Sequence, residues 1–304
     1  MNCTLNLMSK PMSKRILFCL IIVLLPIIGL CQDLDAILEE EASDTTLIVS
    51  GTFNGTRLLN GHSVETRKTG VLEFLISHRF GRVNSGFDQL FGLDDSNIRF
   101  GFEYAWNDRL TIAIGRSSFE KTFDSYGKYR ILHQKTGTKT FPFSMTLFGS
   151  ATQKTIKDYL PENKPTFSER LTYTGQVLIA RKFSPGLSFQ FAPTFIHYNS
   201  VPGPNDSYDM LALGFGTRVK ISKRVSLNAE YYYNLNPFES IDVNNSLAFG
   251  VDIETGGHIF QLILSNGVSM IEKGFIAETN GDFFSGDIHF GFNISRAFQV
   301  KKPK

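Results

Sequence analysis

The sequence predicts an all-β protein, an antiparallel up-and-down transmembrane β-barrel of about twelve strands. Three observations carry this expectation. Many stretches alternate large apolar residues with polar or small ones at period two. The connections between them alternate short and long, as in outer-membrane barrels. The chain opens with an export leader, and no later stretch is apolar enough to span a membrane as a helix.

The leader comes first. Lys10, Lys14 and Arg15 precede "ILFCLIIVLLPIIGLC", an apolar run that is interrupted by Pro26 and ends in small residues. A basic n-region, a short apolar core and small residues at Gly29 and Cys31 make residues 1–31 a signal peptide rather than an anchor. Acylation of Cys31 is a competing reading, opposed by the bulk of Leu30 just before it. All three cysteines, Cys3, Cys19 and Cys31, fall in this leader. Cleavage after Cys31 therefore leaves no thiol for a disulfide, a metal or a nucleophile. It also leaves 28 basic against 29 acidic residues, a balance that gives no electrostatic case for nucleic acid as a partner.

Residues 32–68 do not read as barrel. "QDLDAILEEEA" fits a short acidic helix, and "TTLIVSGTFNGTRLLNGHSVETRKTG" has apolar alternation broken by Asn-Gly turns. The expectation is a periplasmic segment or one tucked into the lumen.

From 69 to 300 the strands follow in order, near 69–80, 96–106, 109–118, 126–134, 141–151, 169–183, 187–199, 209–221, 225–235, 246–254, 258–266 and 286–298. In "NIRFGFEYAW", Ile98, Phe100, Phe102, Tyr104 and Trp106 share a face opposite Asn97, Arg99, Gly101, Glu103 and Ala105. In "VSLNAEYYYNL", Val225, Leu227, Ala229, Tyr231 and Tyr233 oppose Ser226, Asn228, Glu230, Tyr232 and Asn234. "GDIHFGFNISRAF" sets Ile288, Phe290, Phe292 and Ile294 against Asp287, His289, Gly291, Asn293 and Ser295. The turns "ND", "SPG", "SKR" and "TGG" are tight, and "KTGTKT" is only slightly longer. The loops 81–95, 119–125, 152–168, 200–208, 236–245 and 267–285 are long and polar, and are expected at the cell surface. An even strand number returns both termini to the short-turn side. The Phe faces then look outward to lipid. Leu178 and Ile263 break the pattern, since alternation puts them on the lumen side.

The stretches "TRLLNGHSVET", "FLISHRFGRVN", "LFGLDDSNIRFGFEYAWNDRLTIAIGRSS", "LIARKFS", "SKRVSLNAEYYYNL", "DIETGGHIFQLILSN" and "GDIHFGFNISRAF" closely resemble a family of Bacteroidetes β-barrel proteins of unknown function. The resemblance covers nearly all of the chain beyond the leader. It implies a barrel in a Gram-negative outer membrane, with outer-membrane lipid and the barrel-assembly machinery as partners. It supplies no activity, cofactor or catalytic residue.

The polar residues expected to face the lumen are Glu73, Arg79, Arg99, Glu103, Arg116, Arg170, Arg218, Glu230, Asp252, Asp287 and His289. Mixed charges of this kind fit ion pairs that brace the lumen, or a polar path that passes or binds a small solute. The functional expectation is passive transport or solute binding. The alternative is a structural or interaction barrel with a plugged lumen and working extracellular loops. A lipid-modifying enzyme is the third reading and has the least support: no G-x-S-x-G occurs, and Ser117 and Ser118 have only a distant His289 for company. The six histidines, His62, His78, His133, His197, His258 and His289, lack metal-ligand spacing, and no cofactor motif is present.

Overall fold

The computed structural model describes residues 45–156 and 165–301. Twelve strands form a closed barrel in which each pairs antiparallel with its neighbours in sequence and the last closes on the first. They are β1 (Val71–Arg82), β2 (Ser96–Ala105), β3 (Leu110–Ser117), β4 (Phe123–Leu132), β5 (Ser144–Gln153), β6 (Leu171–Ser184), β7 (Leu187–Tyr198), β8 (Asp209–Lys220), β9 (Val225–Asn234), β10 (Ser246–Thr255), β11 (His258–Ser265) and β12 (His289–Gln299). The fold is the one expected, and the strand limits lie within about three residues of those read from the pattern. No helix among the described residues is long and apolar enough to cross a membrane.

Period-two alternation decides each strand's two faces. In β2, Arg99, Gly101, Glu103 and Ala105 are buried inward, while Phe100 and Phe102 are exposed outward. In β12, His289, Gly291, Asn293 and Ser295 face inward. Phe292 lies on the outer wall, where its ring stacks on His78 of β1 at 5.1 Å. Phe74, Phe100 and Phe102 continue this outer aromatic surface, with ring separations of 6.2 and 4.9 Å. Such a wall gains its stability from lipid rather than from a partner sheet.

Both chain ends of the barrel meet on the short-turn side, where the Val300 and Lys301 amides donate to Gly70 O. The turn after β4 is less simple than a hairpin. Lys135–Thr136 pairs with Leu47–Ile48 from the segment that precedes the barrel, which fixes the point where that segment enters.

The loop between β11 and β12 differs from expectation. Its segment 267–279 is not a surface loop, although the tip near Phe284 is exposed. The segment turns into the barrel and carries a short helix, α1 (Glu272–Ala277), of which every residue is buried. Phe275, Ile276 and Ala277 pack on Ile196, Tyr198, Met210, Ala212, Tyr232 and Phe238 of the inner wall and an adjoining loop. Burying that apolar face outweighs hydrating the loop.

The leader, residues 1–31, and the acidic stretch after it lie outside the described residues, as does the 157–164 part of one long loop.

Candidate functional site

Two inserts fill the lumen. The first is the segment before β1, which enters from the short-turn side, climbs to a turn at Leu58-Leu59-Asn60-Gly61, and returns to β1. The Leu58 amide donates to Gly61 O at 2.9 Å and the Ser63 amide to Thr56 O at 3.0 Å. A lone turn in a barrel would leave its polar backbone groups without partners, and the wall supplies them. Glu230 accepts the Asn60 amide at 2.7 Å and the Gly61 amide at 3.1 Å. Gln261 Nε2 donates to Leu58 O at 2.7 Å and Asn293 Nδ2 to Leu59 O at 2.8 Å. Gln190 brackets the descending arm, donating to His62 O and accepting from the Val64 amide, each at 2.7 Å. Gly61 is required here, because a methyl group on it would overlap the Tyr232 hydroxyl.

Apolar contacts inside the barrel also explain the two breaks in alternation. Leu59 packs on Ala248 and Ile263, so the inward Ile263 meets an apolar partner. Leu178 belongs to an inner cluster with Ala113, Tyr126, Phe148 and Ala192. The His62 ring caps that cluster, 4.5 Å from Tyr126 and 4.3 Å from Phe148.

Charges tie the insert to the wall. Glu73 accepts from Arg67 Nε at 2.8 Å and Thr56 Oγ1 at 3.2 Å. Arg79 Nη2 donates to Asn60 Oδ1 at 2.7 Å, and Arg218 Nη1 to Asn54 Oδ1 at 2.8 Å. Lys128 Nζ donates to Glu65 O at 2.6 Å and Thr56 O at 3.2 Å, and Arg130 pairs with the Glu65 carboxylate at 3.1 Å.

The second insert is the α1 loop, and the two meet inside the barrel. Glu272 Oε1 lies 3.1 Å from Arg57 Nη1 and 3.3 Å from His62 Nε2. Next to it, Lys273 Nζ reaches Glu120 and Glu278, each at 3.0 Å. Burial alone would lower the Lys273 pKa, but the Glu278 and Glu120 carboxylates outweigh it and hold the value up. Burial would likewise raise that of Glu120, and Lys273 with Lys154 holds it down. The ammonium and carboxylate thus keep each other ionised across the mouth.

The eleven residues expected in the lumen divide by position. Glu73, Arg79, Arg99, Glu103, Arg218, Glu230, Asp252 and His289 are buried on the inner face. Arg99 is bound to Asp124, Glu103 accepts from the Tyr126 hydroxyl, and Asp252 accepts from Gln261 Nε2 at 2.9 Å. His289 binds Phe80 O at 2.8 Å and is not paired with Asp287.

The other three are corrected. Arg116 shares the parity of Ile112 and Ile114, so it is exposed on the outer wall, 5.2 Å above the Phe123 ring. Arg170 ends a single 3-10 turn before β6 and donates to Ile156 O and Pro165 O on the loop-side rim. Asp287 precedes β12 and pairs with Arg82 at 3.2 Å and Asn84 at 2.7 Å, also on the rim.

Sequence reasoning missed Asp124, Lys128 and Arg130, although "FDSYGKYR" alternates clearly and would have revealed them. It also missed Arg57, His62 and Glu272, which have no periodic signal. Ser117 Oγ accepts from the Phe119 amide and Ser118 Oγ from that of Ile98, and no hydrogen bond among the described residues joins either to His289. Among the described residues, no group of three or more His, Cys, Asp or Glu side chains is arranged to hold a metal ion.

A family model described as "Membrane bound beta barrel domain (DUF5777)" matches residues 53–298. No curated protein matches the sequence. Among solved structures, the NanC porin is similar at 9% identity, with a TM-score of 0.47 over 75% of this chain and 98% of that one. An outer membrane channel from Pseudomonas putida F1 is similar at 13% identity, with a TM-score of 0.43 over 77% and 98%. LpxR from Salmonella typhimurium is similar at 11% identity, with a TM-score of 0.37 over 75% and 99%.

Proposed function

The chain belongs to the DUF5777 family of membrane-bound β-barrel domains, and from that premise we propose that it is an outer-membrane barrel whose lumen is closed at rest. Residues 1–31 serve as the export signal, 69–300 as the barrel, and the described part of 32–68 as its internal plug. The short turns face the periplasm and the loops face outward, where they form the working surface. Outer-membrane lipid surrounds the wall, the assembly machinery inserts it, and no catalytic role enters this reading.

One observation carries it. The N-terminal insert and the α1 loop approach from opposite ends of the barrel and join at Arg57 and Glu272, 3.1 Å apart. Two inserts that touch leave no straight path for a solute. A polar lumen by itself would favour passive transport, but here Glu73, Arg79, Arg218 and Glu230 are engaged by the plug, and Arg99 and Glu103 by their neighbours on the wall.

A second reading is passage of a small solute when the plug moves. The composition of the contacts favours it. The N-terminal insert adds to its small apolar clusters at Leu58 and Leu59 many hydrogen bonds and charges, as at Asn54, Asn60 and Glu65, and water can replace these polar contacts. The α1 loop is held by a larger apolar cluster. The movable element in this reading is the N-terminal insert.

Conductance in planar bilayers tests both. The intact refolded protein should be silent, and a variant with residues 50–66 replaced by a short Gly/Ser linker should give steady currents. Steady currents from the intact protein would exclude the closed state. Silence from both would exclude the movable plug and leave the loops as the sole working surface.

A further inference from the structure

The outer wall is not evenly covered. On β2 to β4 it carries Phe100, Phe102, Ile114 and Phe123, whereas on β4 and β5 the outward positions beside them are Ser125 and Ala151, a cross-strand pair. The step in side-chain height leaves a trough of about 490 Å³ in the loop-side half of the wall, lined almost wholly by carbon. Gly127, Gly149 and Gly175 pair in one row and extend the shallow surface toward the middle of the wall. A side chain at Gly149 or Gly175 would meet open space, so packing does not require glycine there.

Arg116 stands at the loop-side end of this trough and helps to line it. Its guanidinium rests on the Phe123 ring, and among the described residues it has no ion-pair partner. Two acids close to it in the chain are engaged elsewhere: Asp124 points inward to Arg99, and Glu120 binds Lys154 and Lys273. A cation on a lipid-facing wall is costly at the midplane and tolerated at the interface, where it meets headgroups. A guanidinium there matches a phosphate in charge and in bidentate geometry.

We propose that the trough is a binding site for a lipid with a net-anionic phosphate headgroup. One acyl chain lies along Ile114, Ser125 and Ala151, and the phosphate pairs with Arg116. The lipid is the occupant because the trough opens on the barrel's membrane face and the outward charge at its loop-side end is the cation Arg116. The site is independent of whether the lumen conducts.

Quenching by lipids with brominated chains tests this in vesicles. The only tryptophan, Trp106, lies at the short-turn end and is replaced by phenylalanine. A probe is then placed by Tyr173→Trp, at the trough's border opposite Ala151, or by Leu262→Trp on the far wall as a control. The probe at 173 should favour brominated phosphatidylglycerol over brominated phosphatidylcholine by about fivefold, the upper scale of one solvent-exposed ion pair. Arg116→Gln should abolish that preference, Arg116→Lys should keep most of it, and the control should show none. Ser125→Leu, which fills the trough, should reduce it without removing the charge. Equal quenching by both lipids at 173, or a preference that survives Arg116→Gln, would overturn the proposal. Shielding of the probe from both lipids would assign the trough to a protein partner and overturn it as well.

Discussion

Glu272 Oε1 and Arg57 Nη1 lie 3.1 Å apart inside the barrel although 215 residues separate them in the chain. Each belongs to a segment that enters from a different end, and both side chains are almost fully buried. The pair therefore fixes the depth of two inserts with one contact.

Removing one member strands the other in a dry interior. Arg57→Met should destabilise the folded protein by about 3–5 kcal/mol, the usual result of breaking a buried pair. Adding Glu272→Met should recover much of that loss. Urea unfolding in lipid vesicles measures both, and a double variant no better than the single one would show that the pair is not coupled.

The plug's turn should be sensitive to a single methyl group. Gly61→Ala would press on the Tyr232 hydroxyl and the Glu230 carboxylate, an overpacking that costs about 1–3 kcal/mol. Tyr232→Phe in the same chain removes the nearest atom and should relieve part of the cost. The comparison of the two variants by unfolding checks the turn's position, because relief requires that these two residues touch.

Phe292 and Asn293 should both resist arginine, for opposite reasons. Phe292→Arg places a cation against acyl chains, at a cost of about 2–4 kcal/mol near the midplane. A hydrated lumen would accept arginine at 293, but Asn293 is bound to Leu59 O, Gln261 Oε1 and Arg79. Asn293→Arg should therefore impair folding as well, and also loosen the plug, which faster amide exchange at Asn60 and Gly61 would reveal.

Thiol labelling separates the inserted part of the last loop from its exposed tip. With the leader removed after Cys31 the chain has no native cysteine. Phe284→Cys, at a position 90% exposed, should react with an impermeant maleimide within minutes. Ile276→Cys, at a position wholly buried under the apolar cluster, should react only after denaturation. Rapid reaction at 276 would show that α1 lies outside the lumen.

Asp206 joins two surface loops, accepting from Ser240 Oγ and from the Gly203, Glu239 and Ser240 amides. The Ser240 hydroxyl, more than the partial burial that opposes it, and then the amides hold the Asp206 pKa below the usual aspartate value. A depressed folded-state value means the contact stabilises fully above the unfolded pKa near ~3.9 and is lost as pH falls through the folded one. Amide exchange at Glu239 and Ser240, corrected for intrinsic rate, should stay constant from neutral pH to about 4 and rise only below it. Loss of protection near pH 6 would contradict this assignment.

Much of the site was legible by parity. Glu73, Arg79, Arg99, Glu103, Arg218, Glu230 and Asp252 sit inward because their apolar neighbours sit outward. Arg116 follows the same rule: Ile112 and Ile114 put it outside, and reading its charge as a reason to face inward overrode the parity. Arg170 and Asp287 lie just beyond strand ends, where the period no longer applies. What Arg79 or Glu230 binds was not legible at all, since their partners Asn60 and Gly61 form a turn that interrupts the alternation.

The sequence by itself determined the wall: twelve strands, their order, their two faces and the side on which the chain ends meet. Each of these follows from local rules, namely the two-residue period of a strand and the reach of a short turn. Only the tertiary structure decided what fills the barrel. The alternation in residues 49–69 is too broken to choose between a periplasmic and a lumenal place, the α1 loop has no repeating pattern, and each is held inside by partners distant in the chain. Leu59 needs Ile263, Phe275 needs Tyr232, and Arg57 needs Glu272. Such contacts exist only once the strands have closed around them, because the closed wall excludes the water that would otherwise satisfy the same groups.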